Sequence, residues 1–451
     1  MTRGSTTAAA PVQAAPAPKS RRIGTVVAGS LAAGLVAALL LAFLPVGTVD
    51  VDFSTAMVLF GFALGWALLA VLSVRLTDQP QRWAVVPAIV MAVFAALVLW
   101  APESVVDALR WVWPPVVLAL VVWAWIRSKR ELHSHTRTWL LCPVLLVLAL
   151  LAVGGGYETV SRAIAPKVVM NGALVDVGPY RLHLECHGTG SPTVILEPGA
   201  GGSAASMGLI APAVVRDSRV CVYDRAGRGW SDPAADPPDG GQVATDLHTL
   251  LINAQEKGPY VLAGHSFGGL YVRSFAARYP DEVAGLVLVD STAARSGAVP
   301  ARGSDRFLKH ASSLLATTSR LGVSRFLASL SYGELPPAYR DDARTTAATG
   351  KELRGTIAEY GVASRSAADA GNLRSLDGKP LVVLTAEVGN SNGWMDDQVK
   401  SLSLSTNSVH RVVSGATHAS LVDDPDHAAA VTQAINDVIA TVRSGVPLPH
   451  P

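Results

Sequence analysis

Five stretches in the first third of the chain are apolar and nearly free of charge, and no other feature limits the possible folds as strongly. They run about Ile23–Val46, Thr55–Val74, Trp83–Ala101, Trp111–Ile126 and Trp139–Val153. A helix needs about 20 apolar residues to cross a bilayer, and the first three stretches reach that length. The last two are shorter, and the fourth carries Pro114-Pro115. Trp83, Trp100, Trp111 and Trp139 stand at the edges, where an amphipathic ring can sit between lipid and water. The first stretch is too long for the apolar core of a cleaved signal peptide, and four more follow it. The expectation is a bundle of about five transmembrane helices over 23–156. Residues 1–22, rich in Ala, Pro, Thr and Ser, cannot build a core and are expected to be a disordered cytoplasmic tail.

Basic residues set the expected orientation, because cytoplasmic loops retain Lys and Arg. Arg3, Lys19, Arg21 and Arg22 precede the first stretch, Arg75 and Arg82 follow the second, and Arg127, Lys129, Arg130 and Arg137 follow the fourth. The alternate loops hold Asp50, Asp52, Glu103 and Asp107, with Arg110 their only basic residue. That asymmetry places the N-terminus in the cytoplasm and, after five crossings, everything beyond Tyr157 outside a cell membrane.

The chain has 451 residues, half of them hydrophobic and 16% charged, and the apolar excess lies before Gly154. A net charge of +2, with no basic stripe, gives no reason to expect a nucleic-acid partner. Ionisable or unwound elements at mid-membrane depth, which a transporter would need, are missing from the five stretches. Gly61-x-x-x-Gly65 suits close helix packing. His133 and His135, in a basic loop, read as solvated histidines rather than metal ligands, and no metal or organic cofactor is expected.

From about Val168 short apolar runs alternate with helical patterns and turn signals, the signature of an α/β sheet. Strands are expected at Ala173–Val177, Tyr180–Cys186, Thr193–Glu197, Arg219–Tyr223, Tyr260–Ala263, Gly285–Val289, Pro380–Ala386 and Ser408–Val413. Helices are expected at Gln242–Ala254 and Leu270–Tyr279. Between the fifth strand and the second of these helices lies Gly264-His265-Ser266-Phe267-Gly268-Gly269. A serine on so sharp a strand-to-helix turn has its hydroxyl lifted clear. Glycines two residues to either side avoid collision with neighbouring elements.

Residues 173–445 resemble the α/β-hydrolase superfamily. Glu197-Pro198-Gly199-Ala200-Gly201-Gly202 is similar to its oxyanion loop, and Tyr223 through Asp232 (YDRAGRGWSD) to the loop after its fourth strand. Gly264–Gly269 is similar to its nucleophile elbow, and Gly415-Ala416-Thr417-His418 to its histidine loop. The resemblance implies a mostly parallel eight-stranded sheet with a helical cap, here an insertion at about 292–376 within a domain over 157–451. Apolar cap residues such as Phe307, Leu314, Leu315, Leu321, Phe326 and Leu330 are expected to serve packing.

The resemblance also implies roles. Ser266 would be the nucleophile and His418, in the loop past the last strand, its general base. His265 is expected to point away from the nucleophile. The backbone N–H groups of Phe267 and of Gly199 or Ala200 would form the oxyanion hole, since Pro198 has no N–H to give. The third member stays open. The family's usual position after the seventh strand holds Gly389, so Asp290 at the end of the sixth strand is preferred over Glu387, with Asp396 and Asp397 behind them. Cys186 and Cys221 would lie on neighbouring strands of that fold, and outside the cytoplasm they are expected to form a disulfide. Cys142 reads as a packing residue.

The implied activity is hydrolysis of an ester, or of an amide or thioester, through an acyl-enzyme. The substrate would be a small molecule or lipid-like ester, and the bilayer the other partner. The competing class is a non-catalytic ligand-binding or sensor protein on a degenerate hydrolase fold, motivated by Gly389.

Overall fold

The computed structural model describes residues 23–44, 50–131, 141–295 and 305–449. The expected tail over 1–22 and the loop with His133 and His135 fall outside the described residues. The chain divides into two compact units. One comprises Thr55–Val153 with the residues up to Leu44, and the other Gly154–Pro451 with Pro45–Ser54.

Among the described residues five helical spans are long and apolar enough to cross a membrane, the make-up of a multi-pass membrane protein. They are α1 (Ile23–Ala42), α2 (Val51–Leu76), α3 (Val85–Trp100, lengthened by the 3-10 turn Arg82–Ala84), α4 (Glu103–Glu131) and α5 (Cys142–Ile164). In the first unit α1 and α2 approach closely where Gly34 faces Gly65, as small residues allow. Two helices outrun their apolar stretches. α4 carries Pro114 and Pro115 within 29 helical residues, its charged ends extending past the apolar middle. α5 continues 11 residues beyond Val153. Polar residues at a helix end can be hydrated, so loss of apolarity does not stop the helix.

In the second unit one eight-stranded sheet has the order β1-β2-β4-β3-β5-β6-β7-β8. The strands are β1 (Ala173–Asp176), β2 (Arg181–His187), β3 (Thr193–Glu197), β4 (Val220–Tyr223), β5 (Tyr260–His265), β6 (Val283–Val289), β7 (Leu381–Val388) and β8 (Ser408–Thr417). β2 is antiparallel to both β1 and β4, and the remaining pairings are parallel. β3 and β5 are buried at every residue, as strands covered on both faces must be.

On one face Val194, Val261, Val287 and Val382 pack with Ile435 and Val438 of the helix Pro425–Ser444. Asp424 caps the start of that helix and Pro425 opens it, while Gly445, at φ 71°, ends it. On the other face Ile195, Leu262 and Leu286 pack with Leu247 of the helix Gly240–Asn253 and Phe275 of the helix Phe267–Arg278. Cys186 and Cys221 are paired residues of β2 and β4, joined as a disulfide with Cα atoms 4.1 Å apart. Cap helices Val323–Leu330, Pro337–Ala347, Gly350–Gly361 and Ala363–Ala370 fill the segment between β6 and β7.

Candidate active site

Ser266 follows β5 directly and opens the helix Phe267–Arg278, three residues earlier than the sequence pattern suggests. Its backbone has φ 54° and ψ −119°, a strained conformation for a residue with a side chain. The strain is held by Val289, whose carbonyl accepts from Ser266 N–H at 3.0 Å, and by Thr292, whose N–H donates to Ser266 O at 3.1 Å. The flanking glycines are required by space. A Cβ on Gly264 would lie 2.5 Å from the Gly268 carbonyl carbon, and one on Gly268 would lie 2.2 Å from Glu197 O.

His418 stands one residue past β8, which runs four residues beyond its expected end because Thr417 still pairs with Val388 after a register shift that leaves two extra residues on β8. The Nδ1 of His418 lies 2.6 Å from Oδ2 of Asp290. Asp290 has no exposed side-chain surface, whereas the His418 side chain is 42% exposed. The other Asp290 oxygen accepts from Trp394 Nε1 at 2.7 Å and Ala386 N–H at 3.2 Å. Asp290 takes φ 43°, a left-handed turn that aspartate tolerates better than most residues.

Of the four acids expected from sequence, only Asp290 reaches the histidine. Glu387 is exposed and accepts from Gly415 N–H at 2.7 Å and Ser414 Oγ at 2.9 Å, which hold its carboxyl below the usual range. It grips the histidine loop without touching the imidazole. Asp397 pairs with Lys400, and Asp396 lies on the first turn of the helix Trp394–Ser401.

His265 differs from expectation. Its Nε2 donates to the backbone oxygen of His418 at 2.9 Å, with ring centroids 4.7 Å apart, so it braces the backbone of His418. Burial, then the nearby His418, pushes its pKa down to about 4. The neutral ring is thus the form that fits.

The glycine-rich loop after β3 lies against the serine, because a Cβ on Gly199 would sit 3.1 Å from Ser266 Cβ. Its peptides are fixed by Arg225, which is 2% exposed. That guanidinium donates to Pro198 O at 2.8 Å, Gly199 O at 2.9 Å, Glu197 Oε1 at 2.7 Å and Glu359 Oε1 at 2.8 Å. In a trans peptide C=O and N–H point opposite ways, so drawing Gly199 O toward Arg225 turns Ala200 N–H away from it. Glu359, from the cap helix Gly350–Gly361, also accepts from Gly201 N–H at 2.9 Å. Arg228 ties down the same helix through Glu352 Oε1 at 2.6 Å and Thr356 Oγ1 at 2.6 Å.

Sequence reasoning missed Arg225, Glu359 and Trp394. Arg225 stands inside the YDRAGRGWSD segment, so a signal was present without a role. Glu359 and Trp394 carry no local signal. Among the described residues one group of His, Cys, Asp or Glu is close enough to share a metal ion, Cys186 with Cys221 and Glu256. The two sulfurs of that group are bonded to each other.

A family model described as alpha/beta hydrolase fold matches residues 192–425, just over half of the chain. An uncharacterized protein of Schizosaccharomyces pombe is 38% identical over 125 residues, 28% of this chain and 23% of that protein. An uncharacterized vacuolar membrane protein of Saccharomyces cerevisiae is 42% identical over 74 residues, 16% of this chain and 12% of that one. The matches therefore span about a quarter or less of these relatives' lengths. Among solved structures, a thermophilic esterase from Thermogutta terrifontis is 22% identical, with 62% of this chain and 100% of that chain covered and a TM-score of 0.47.

Proposed function

We propose that this chain, which belongs to the alpha/beta hydrolase fold family, is a membrane-anchored serine hydrolase cleaving a carboxylic ester through an acyl-enzyme on Ser266. The observation that carries the reading is a strained serine on an elbow whose preceding residue, His265, holds the backbone of a half-exposed His418, with the Nδ1 of that histidine facing a fully buried aspartate at 2.6 Å.

The chemistry follows from that geometry. Asp290 fixes the tautomer with the proton on Nδ1, which leaves Nε2 of His418 free to take the Ser266 hydroxyl proton. The Oγ–C bond forms as the carbonyl π pair moves onto oxygen. The N–H groups of Phe267 and Ala200 receive that oxyanion, the first from a helix N-terminus and the second turned by Arg225. Collapse expels the alcohol, which leaves with the proton held by His418. Water then attacks the acyl-enzyme with His418 again as base, releasing the acid and restoring the serine. Trp394 and Ala386 occupy the other Asp290 oxygen, so the aspartate stays an acceptor toward His418. Amide or thioester cleavage would use the same steps with a different leaving group.

The non-catalytic reading was motivated by Gly389, and the Asp290–His418 contact removes that motive. The placement of the hydrolase unit outside the cytoplasm is supported by the alternation of basic loops, the odd number of membrane-length helices and the Cys186–Cys221 bond.

The test is fluorophosphonate labelling of the full chain in membranes. Wild type should label and Ser266→Ala should not. A folded wild type that stays unlabelled, or a variant that labels equally, would overturn the assignment.

A further inference from the structure

The cap helix Val323–Leu330 leaves an apolar face uncovered. Val323 is 44% exposed, Phe326 54%, Leu327 57% and Leu330 71%. Their spacing, i, i+3, i+4 and i+7, puts all four on one side of the helix. Ser324 and Ala328, on the opposite side, are buried. A soluble cap would turn these faces the other way. Leu315, on the cap helix Asp305–Ala316, is also 53% exposed.

What covers this face follows from what the helix touches. Just before it, a Cβ on Gly154 of α5 would lie 2.7 Å from Leu321 O, and one on Gly322 would lie 2.5 Å from the Tyr157 ring. Arg325 donates to both oxygens of Glu158 at 2.8 and 2.9 Å. Arg320 pairs with Asp52, in the first turn of α2. All of these residues belong to the second unit, yet 154–164 and 51–54 are the ends of helices long enough to cross a membrane.

Depth can be counted along α5. At 1.5 Å per residue Gly154 lies about 18 Å, and Glu158 about 24 Å, from Cys142, while a hydrocarbon core is about 30 Å thick. The residues that grip the cap helix thus lie on the last turns of the same continuous helix, just past the apolar stretch that ends at Val153, where hydrocarbon gives way to headgroups. Arg320, just before the cap helix, and Arg325, within it, are paired with acids on those helix ends and hold the cap helix at that level. Val160 and Ile164, on the same end of α5, are likewise uncovered, at 50% and 79%.

We infer that the helix Val323–Leu330 lies in the bilayer surface, with Val323, Phe326, Leu327 and Leu330 in the acyl-chain boundary and Arg320 and Arg325 at headgroup level. An amphipathic helix with long apolar residues on one face and arginine on the other suits that position. The cap would then open on lipid, and its substrates would be amphiphiles able to enter sideways from the leaflet.

The test is depth measurement in the full chain, reconstituted in phosphatidylcholine–phosphatidylglycerol bilayers. Nitroxides are placed singly at Phe326→Cys, Leu327→Cys, Leu330→Cys and, as a reference, exposed Ser403→Cys, in a Cys142→Ser background whose cooperative melting is checked. Dissolved oxygen should broaden the three cap labels several-fold more than the water-soluble nickel chelate does, and the order should reverse at Ser403. Nickel access at the cap labels equal to that at Ser403 would overturn the inference. So would shielding from both reagents that relaxes on dilution with lipid, since a second copy of the chain would then cover the face. The readout is independent of turnover, so it stands apart from the fate of the hydrolase reading.

Discussion

Asp290 gathers three partners around a carboxylate with no water contact, and each restricts what it can do. Trp394 and Ala386 hold one oxygen, and His418 takes the other. Asp290→Asn should therefore lower kcat by about 10³–10⁴, since the amide can stabilise the wrong tautomer of His418. Glu387→Gln should leave kcat nearly unchanged, and the reverse ranking in a p-nitrophenyl ester assay would reassign the acid. Arg225 acts at one remove, by orienting Pro198 and Gly199. Arg225→Lys, assayed well below its melting temperature, should lower kcat on the order of 10², as loss of an oxyanion donor does, with KM little changed. Were the residue only a structural anchor, stability would fall while kcat of the folded fraction held. The positions of Ser266 and His418 at strand ends were legible because that placement is local, a turn after a strand. The acid was not, because whether Asp290 or Glu387 meets the imidazole depends on how β6, β7 and β8 align in space.

Elements read well where burial decides them. β3 and β5 are buried throughout and mostly apolar, and the sequence pattern finds them to within two residues. β8 and α5 run past their apolar stretches because hydrogen bonding carried them further than side-chain character would suggest. The Cys186–Cys221 link ties two antiparallel strands across 35 residues of chain. Replacing both with Ala should cost about 3 kcal/mol in denaturant unfolding, with little effect on the folded activity. At the end of β5, His265 is held neutral by burial, its pKa pushed down to about 4 against 6.5 for the free group. A depressed histidine stabilises the fold fully above about pH 6.5, and that contribution fades as pH falls toward 4. Shifts of that size amount to roughly 3 kcal/mol. His265→Gln, which can still donate to His418 O, should flatten the loss of thermal stability between pH 6.5 and 4, and an unchanged slope would point to another group.

At the scale of the whole molecule, five membrane-length helices among the described residues precede a hydrolase-fold unit, and the side on which that unit lies decides which compounds it meets. On the proposed orientation the basic residues before α1 and at the ends of α2 and α4 stay in the cytoplasm, and five crossings then end outside. A membrane-impermeant maleimide added to intact cells should label Ser403→Cys in a Cys142→Ser background without permeabilisation. Labelling that requires lysis would place the unit in the cytoplasm instead. The sequence alone could mark which stretches enter lipid, since transfer cost depends on composition. It could not reveal that Arg320 and Arg325 pair with Asp52 and Glu158, because nothing local to a charge names its partner.

Glu359 spans two jobs with one side chain, since one oxygen receives Arg225 and the other the Gly201 N–H. On the proposed mechanism this makes the cap an interlock. When the helix Gly350–Gly361 lifts to admit or release a molecule, it takes Glu359 with it, and the loop that must receive the oxyanion slackens in the same movement. Full catalytic power then exists only while the chamber is shut, and an ester passing an open door meets a disarmed serine.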